Sequence, residues 1–176
     1  MNARIAALSA AALVAASGLA GHRPAVAATA AGALRPVEVF DAGTWATLQA
    51  TLKRPAMLVF STTDCAHCPA VFEQLANERR RRGLKAALIA VVMDVAPSED
   101  DAMLQAQPHL QRVDRLFAFA GQAPVIRYSV EPRWRGVTPY VVFLTPGQAV
   151  QAVTGPPSEA DIDAWVRRSA AATTTR

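Results

Sequence analysis

Cys65-Ala66-His67-Cys68 holds the only two cysteines of the chain, and its flanks dictate what must surround it. Before it lies an apolar run of β character, Ala56-Met57-Leu58-Val59-Phe60. After it, Val71, Phe72 and Leu75 recur at helical spacing. A C-x-x-C pair at a strand-to-helix junction can close a small disulfide on the first turn of a helix. There the free N–H groups and the positive end of the helix dipole stabilise a thiolate. The chemistry this points to is dithiol–disulfide exchange. Pro69 falls in the first helical turn, where its missing N–H would be unpaired in any residue.

The segments around this junction read as alternating strands and helices. Val37-Glu38-Val39-Phe40 alternates as a strand does. Asp41 or Thr44 caps a helix with Trp45, Leu48 and Leu52 on one face, ended by Lys53-Arg54-Pro55. The continuous run from Met57 to Phe60 is that of a strand buried on both faces. Arg79-Arg80-Arg81-Arg82 reads as the solvated end of the cysteine helix, its charges opposing the negative helix terminus, with Gly83 as the stop. A second buried strand follows from Ala86 to Met93.

From Ala96 to Gly136 the pattern is less regular. Ser98-Glu99-Asp100-Asp101 predicts a helix start. Leu110, Val113, Leu116 and Phe117 predict a helical stripe ended by Gly121, and Ile126 to Val130 a short strand. Tyr140-Val141-Val142-Phe143-Leu144 is a strand, Pro146-Gly147 a turn, and Gln148 to Val153 its hairpin partner. Ser158 caps a last helix, with Asp161 at the reciprocal position of a capping box and Ile162, Trp165 and Val166 as the buried face. A frayed tail is expected from Ala170. A βαβ start implies parallel strands with right-handed crossovers. The expected class is therefore α/β, with a central mixed sheet of about five strands, helices on both faces and a helical insert before the last hairpin.

Residues 1–27 read as a secretory signal. Arg4 gives the positive start, Ile5 to Ala20 is apolar and uncharged, and Ala25-Val26-Ala27 is an A-x-A cleavage site. Ala28-Thr29-Ala30 is a second candidate site. A membrane tether through an uncleaved signal is the less favoured alternative, because the run is short and alanine-rich. Residues 28–36 form a small-residue linker, 37–170 the folded domain with its insert at about 96–136, and 171–176 a flexible tail. Export places the cysteines in an oxidising compartment, the bacterial periplasm being the natural one. The net charge of +4 loses Arg4 and Arg23 with the leader and offers no case for nucleic acid.

Zinc sites also use C-x-x-C, but a structural site needs four ligands. Here there are two thiols, with His67 and His109 outside the leader, and His67 lies between the thiols. Neither a metal nor another cofactor is expected. The alternatives in a different class are a copper-binding module using Cys65, Cys68 and His109, with soft thiolates selecting Cu(I), and a redox-silent binding module that keeps both cysteines. Its helical context predicts a surface position for His109. Met57, Met93 and Met103 are expected in the core.

The strand, the C-x-x-C helix start and Thr138-Pro139 entering a β-hairpin together resemble the thioredoxin superfamily. Phe60-Ser61 before Cys65-Ala66-His67-Cys68, and Gly136-Val137-Thr138-Pro139-Tyr140-Val141-Val142, are most similar to its periplasmic thiol–disulfide interchange branch. The resemblance spans about Val37 to Arg168. It implies a thioredoxin-like fold, Cys65 as exposed nucleophile, Cys68 as buried resolving thiol, Pro139 as a cis-proline facing the disulfide, and Thr138 as a backbone contact to substrate. The partners implied are cysteine-bearing protein substrates and a redox partner protein.

His67 should lower the pKa of Cys65 and raise the potential of the couple. Asp64 stands where the resemblance expects Trp, and its charge opposes that effect; the sum stays open. Six residues before Cys65, where many members bury a proton-moving carboxylate, the chain has Val59. The stretch between Asp94 and Pro139 is longer than in minimal thioredoxins. A lid or partner surface and an extra core-covering helix are the two readings of it. Reductant, oxidant and isomerase all stay open as directions.

Overall fold

The computed structural model describes residues 35–174; the signal at 1–27 and most of the linker lie outside the described residues. The elements are β1 (Val37–Phe40), α1 (Thr44–Thr51), β2 (Ala56–Ser61), α2 (Cys68–Arg81), β3 (Ala87–Val92), α3 (Asp101–Ala106), a 3-10 turn (Leu110–Arg112), β4 (Arg115–Phe119), α4 (Ala123–Val130), β5 (Tyr140–Leu144), β6 (Gln151–Thr154) and α5 (Glu159–Thr174). Six strands form one sheet in the order β1-β4-β3-β2-β5-β6. The first four are mutually parallel; β5 runs antiparallel to β2 and β6 to β5. This is the α/β, thioredoxin-like arrangement expected: parallel strands wound by helices, closed by a hairpin.

The sheet is covered on both faces because its central strands are apolar throughout. Alternate residues of β2 go to opposite sides. Met57 and Val59 join Phe72 and Leu75 of α2 and Ile162 and Trp165 of α5. Leu58 and Phe60 join Trp45 and Leu48 of α1 and Ile126 of α4. The second face is held by aromatic packing. Phe40 meets Phe60 edge-on at 5.5 Å and stacks on Phe119 at 5.7 Å. Trp165 on the first face spends its indole N–H on the Leu144 carbonyl and the Thr145 hydroxyl, so its large ring is buried without a stranded donor.

Three expectations need correction. The stripe Leu110, Val113, Leu116, Phe117 is not a helix: the 3-10 turn ends at Arg112 and β4 begins at Arg115. β4 sits between β1 and β3, pairing Val37 with Leu116 and Ile89 with Arg115. The residues after Asp94 therefore build a strand into the sheet instead of lying wholly outside it as a helical insert. Ile126 to Val130 is not a strand but part of α4, with Pro124 in its first turn. Met103 is 38% exposed, so it is not a core residue.

The helix ends follow local chemistry. The Asp41 carboxylate accepts from the Gly43 and Thr44 amides and the Thr44 hydroxyl, which braces the turn into α1, although the N-cap position itself is Gly43. Gly83 stops α2 at φ +60°, where a Cβ would be strained. The arginine run is more than a solvated end. Arg79 pairs with Asp114, and Arg82 joins Glu78 on its own helix to Asp163 on α5. Ser158 and Asp161 form the predicted reciprocal capping box. α5 then runs to Thr174, past the predicted fraying at Ala170.

A candidate thiol–disulfide site

The sheet topology gathers the candidate residues at one edge. β2 and β3 are parallel, so both end on the same side; β5, antiparallel to β2, begins there. The loop after β2 carries the cysteines, the loop after β3 starts at Met93-Asp94, and the loop before β5 carries Thr138-Pro139. Loops at the carboxyl ends of parallel strands are the usual place for a site on such a sheet.

Cys65 and Cys68 form a disulfide with an S–S distance of 2.02 Å and a Cα–Cα distance of 5.4 Å. Two successive turns bring them together: the Cys65 amide donates to the Thr62 carbonyl, and the Cys68 amide to the Cys65 carbonyl, each at 3.2 Å. Cys68 opens α2 and is completely buried, whereas Cys65 is only half-buried. Asp64, Ala66 and His67 are all exposed. Neither the Asp64 carboxylate nor the His67 imidazole makes a hydrogen bond that caps α2.

The loop leading into the disulfide is tied down on two sides. The Asp94 carboxylate accepts from the Thr63 amide at 2.9 Å and from its hydroxyl at 2.5 Å. The Thr62 hydroxyl lies 3.5 Å from that of Thr138. The second contact follows from register. Phe60 pairs with Tyr140 across the antiparallel ladder, so two steps further on Thr62 comes opposite Thr138. The Thr138-Pro139 peptide is cis. The structure thus assembles Cys65, Cys68, Thr138 and Pro139 at one edge, with Asp64 and His67 on the exposed rim. Val59 lies in the same apolar cluster as Cys68, and no carboxylate occupies that position.

Trp134 packs behind the loop that enters Thr138-Pro139. Its ring stacks on Tyr140 at 4.4 Å and 14°, and its indole N–H donates to the Val137 carbonyl at 3.0 Å. That bond holds the segment entering Thr138-Pro139 and leaves Val137 56% exposed beside it.

His109 does not take the surface position that its sequence context predicts. It is half-buried, not on the open surface, and its ring packs against Phe72 of α2 with centroids 5.5 Å apart. It lines a cavity of about 150 Å³ together with Cys65, Thr62, Thr63 and Leu104. Burial pushes its pKa below the ordinary histidine value. No local signal could have shown this, because the α3 return folds His109 onto a helix far away in sequence. The copper ligand set is not assembled: among the described residues, no three His, Cys, Asp or Glu side chains are grouped so as to hold a metal ion.

The sequence matches no protein-family model and no curated protein. Solved structures do resemble it. One is a secreted Mycobacterium tuberculosis disulfide oxidoreductase homologous to E. coli DsbE, with 18% identity, 70% of this chain and 85% of that chain covered, and a TM-score of 0.46. The N-terminal domain of PilB from N. meningitidis, in its reduced form, shares 18% identity over 69% of this chain and 85% of its own, with a TM-score of 0.48. A thio-disulfide isomerase from Thermus thermophilus shares 19% identity over 67% of this chain and 81% of its own, with a TM-score of 0.45.

Proposed function

We propose that the protein is an exported thiol–disulfide oxidoreductase acting on cysteine-bearing proteins through Cys65 and Cys68. The observation that carries this reading is the asymmetry of the disulfide: one half-buried sulfur and one fully buried sulfur at the first turn of a helix. Only Cys65 is open to a partner, and the helix terminus beside it favours its thiolate.

In the reducing direction the Cys65 thiolate attacks a substrate disulfide, forming Cys65–S–S–R and expelling the other substrate sulfur as thiolate. Cys68 then attacks the Cys65 sulfur, expels R–S⁻ and closes the disulfide again. The oxidising direction reverses the same steps. The Thr138-Pro139 strand entry, held opposite Thr62, would receive the substrate backbone. Export through the segment at 1–27 into the periplasm would keep the couple in an oxidising compartment.

The test is equilibration of the full chain with defined glutathione and dithiothreitol buffers. A reversible two-electron couple that vanishes in Cys65→Ser is the expected result. Cys68→Ser should instead trap a mixed disulfide on Cys65. A potential of about −120 to −180 mV would make it an oxidant or isomerase, and about −270 mV a reductant. A protein whose cysteines exchange with neither buffer would end this reading.

A further inference from the structure

A dithiol site must place a proton each time it is reduced, and Val59, in the apolar cluster that holds Cys68, can take none. The cavity at Cys65 offers an alternative. Its volume of about 150 Å³ leaves room for water, whose share of liquid volume is about 30 Å³. Of the residues lining it, only His109 carries a titratable group while the disulfide is closed, and Cys65 adds a second once it is reduced. The ring of His109 is fixed against Phe72 at an interplanar angle of 34°.

Charged groups on the neighbouring elements are committed elsewhere or face solvent. Asp94 is bound to Thr63 at the cavity rim, Asp101 of α3 accepts from the Ser98 amide, and Arg79 of α2 pairs with Asp114. Glu73 of α2 and Arg112 of the 3-10 turn are exposed, as are Asp64 and His67.

Resting on the reading of Cys65–Cys68 as a redox couple, we propose that His109 is the proton-exchange partner of Cys65 across this cavity. Reduction of the disulfide is thereby coupled to protonation of the imidazole. A donor dithiol gives two electrons and two protons and becomes a disulfide. The Cys65–Cys68 bond breaks; one proton ends on the Cys68 sulfur and the other on a His109 ring nitrogen, leaving Cys65 as thiolate. When the thiolate next attacks a disulfide, the expelled sulfur takes the proton back from His109. Burial favours the neutral ring while the disulfide is closed. A thiolate across the cavity favours the charged ring once it is open.

The test follows the His109 ring protons of the full chain by NMR against pH, oxidised and then reduced with dithiothreitol. The His109 midpoint is expected to move to higher pH on reduction. In His109→Gln the thiolate absorbance of Cys65 should titrate at higher pH, and attack on a small aromatic disulfide at neutral pH should slow by at least about tenfold. His67→Gln should leave the redox-dependent movement of the His109 midpoint in place. Identical His109 midpoints in both redox states would overturn the proposal, and the NMR comparison needs no substitution that could unfold the chain. Loss of reversible exchange with thiol buffers would overturn the redox reading itself, and is seen before pH is varied.

Discussion

The hydroxyls of Thr62 and Thr138 lie 3.5 Å apart, although 76 residues separate them in sequence. One stands just ahead of the disulfide turn and the other just ahead of the cis-proline. Their contact joins the two segments between which a substrate chain would be held. At that length it is a weak bond, so Thr62→Val, which keeps the shape, should cost no more than about 1 kcal/mol in urea unfolding. A loss above about 2 kcal/mol would show that the Thr62 hydroxyl holds the loop by itself.

Trp134 supports the same loop from behind, by stacking on Tyr140 and by its bond to the Val137 carbonyl. Trp134→Phe keeps most of the ring contact and leaves that carbonyl to water; a loss of about 1 kcal/mol is expected. Trp134→Ala empties the space and should cost about 3–5 kcal/mol. Denaturant midpoints of the two variants should separate clearly. Equal midpoints would mean that the stack contributes little.

Gly136 adopts φ +83°, and a Cβ there would meet the Arg127 guanidinium, with Cζ 3.0 Å away. The arginine can swing aside, but the backbone angle cannot be relieved without moving the loop into Thr138. Gly136→Ala should therefore destabilise by about 1–2 kcal/mol. Pairing it with Arg127→Ala should recover only a minor part. Full recovery in the double variant would show that the clash, not the backbone angle, carries the cost.

The capping box of α5 gives a pH dependence with a definite sign. The Ser158 hydroxyl and then its amide hold the Asp161 carboxyl below its ordinary range. A carboxylate whose folded pKa is depressed contributes stability above its unfolded value of about 3.9, and that contribution disappears as pH falls through the folded value. Ser158→Ala should cost about 1 kcal/mol at neutral pH and much less in acid. Urea unfolding at both conditions measures it; a deficit that stays constant into acid would contradict the assignment.

Features that depend on near neighbours are written in the local order of residues. The disulfide turn needs only Cys65, Cys68 and the helix that Cys68 opens; the α5 cap needs only Ser158 and Asp161. β2, β3 and β5 were legible because strands buried on both faces are apolar throughout. The same property hid β4. Leu116 and Phe117 fit a helical stripe and a buried strand equally well, and only pairing with β1 and β3 decides between them. α4 was hidden by its β-branched Val125, Ile126 and Val130, whose strand preference gave way once Ile126 packed beneath the second face. The surroundings of Cys65 also belong to tertiary structure. Thr138 reaches Thr62 through an antiparallel register, and His109 reaches the cavity through the return from β3 to β4. Such contacts arise from how the sheet closes over long loops, and no local pattern of residues encodes them.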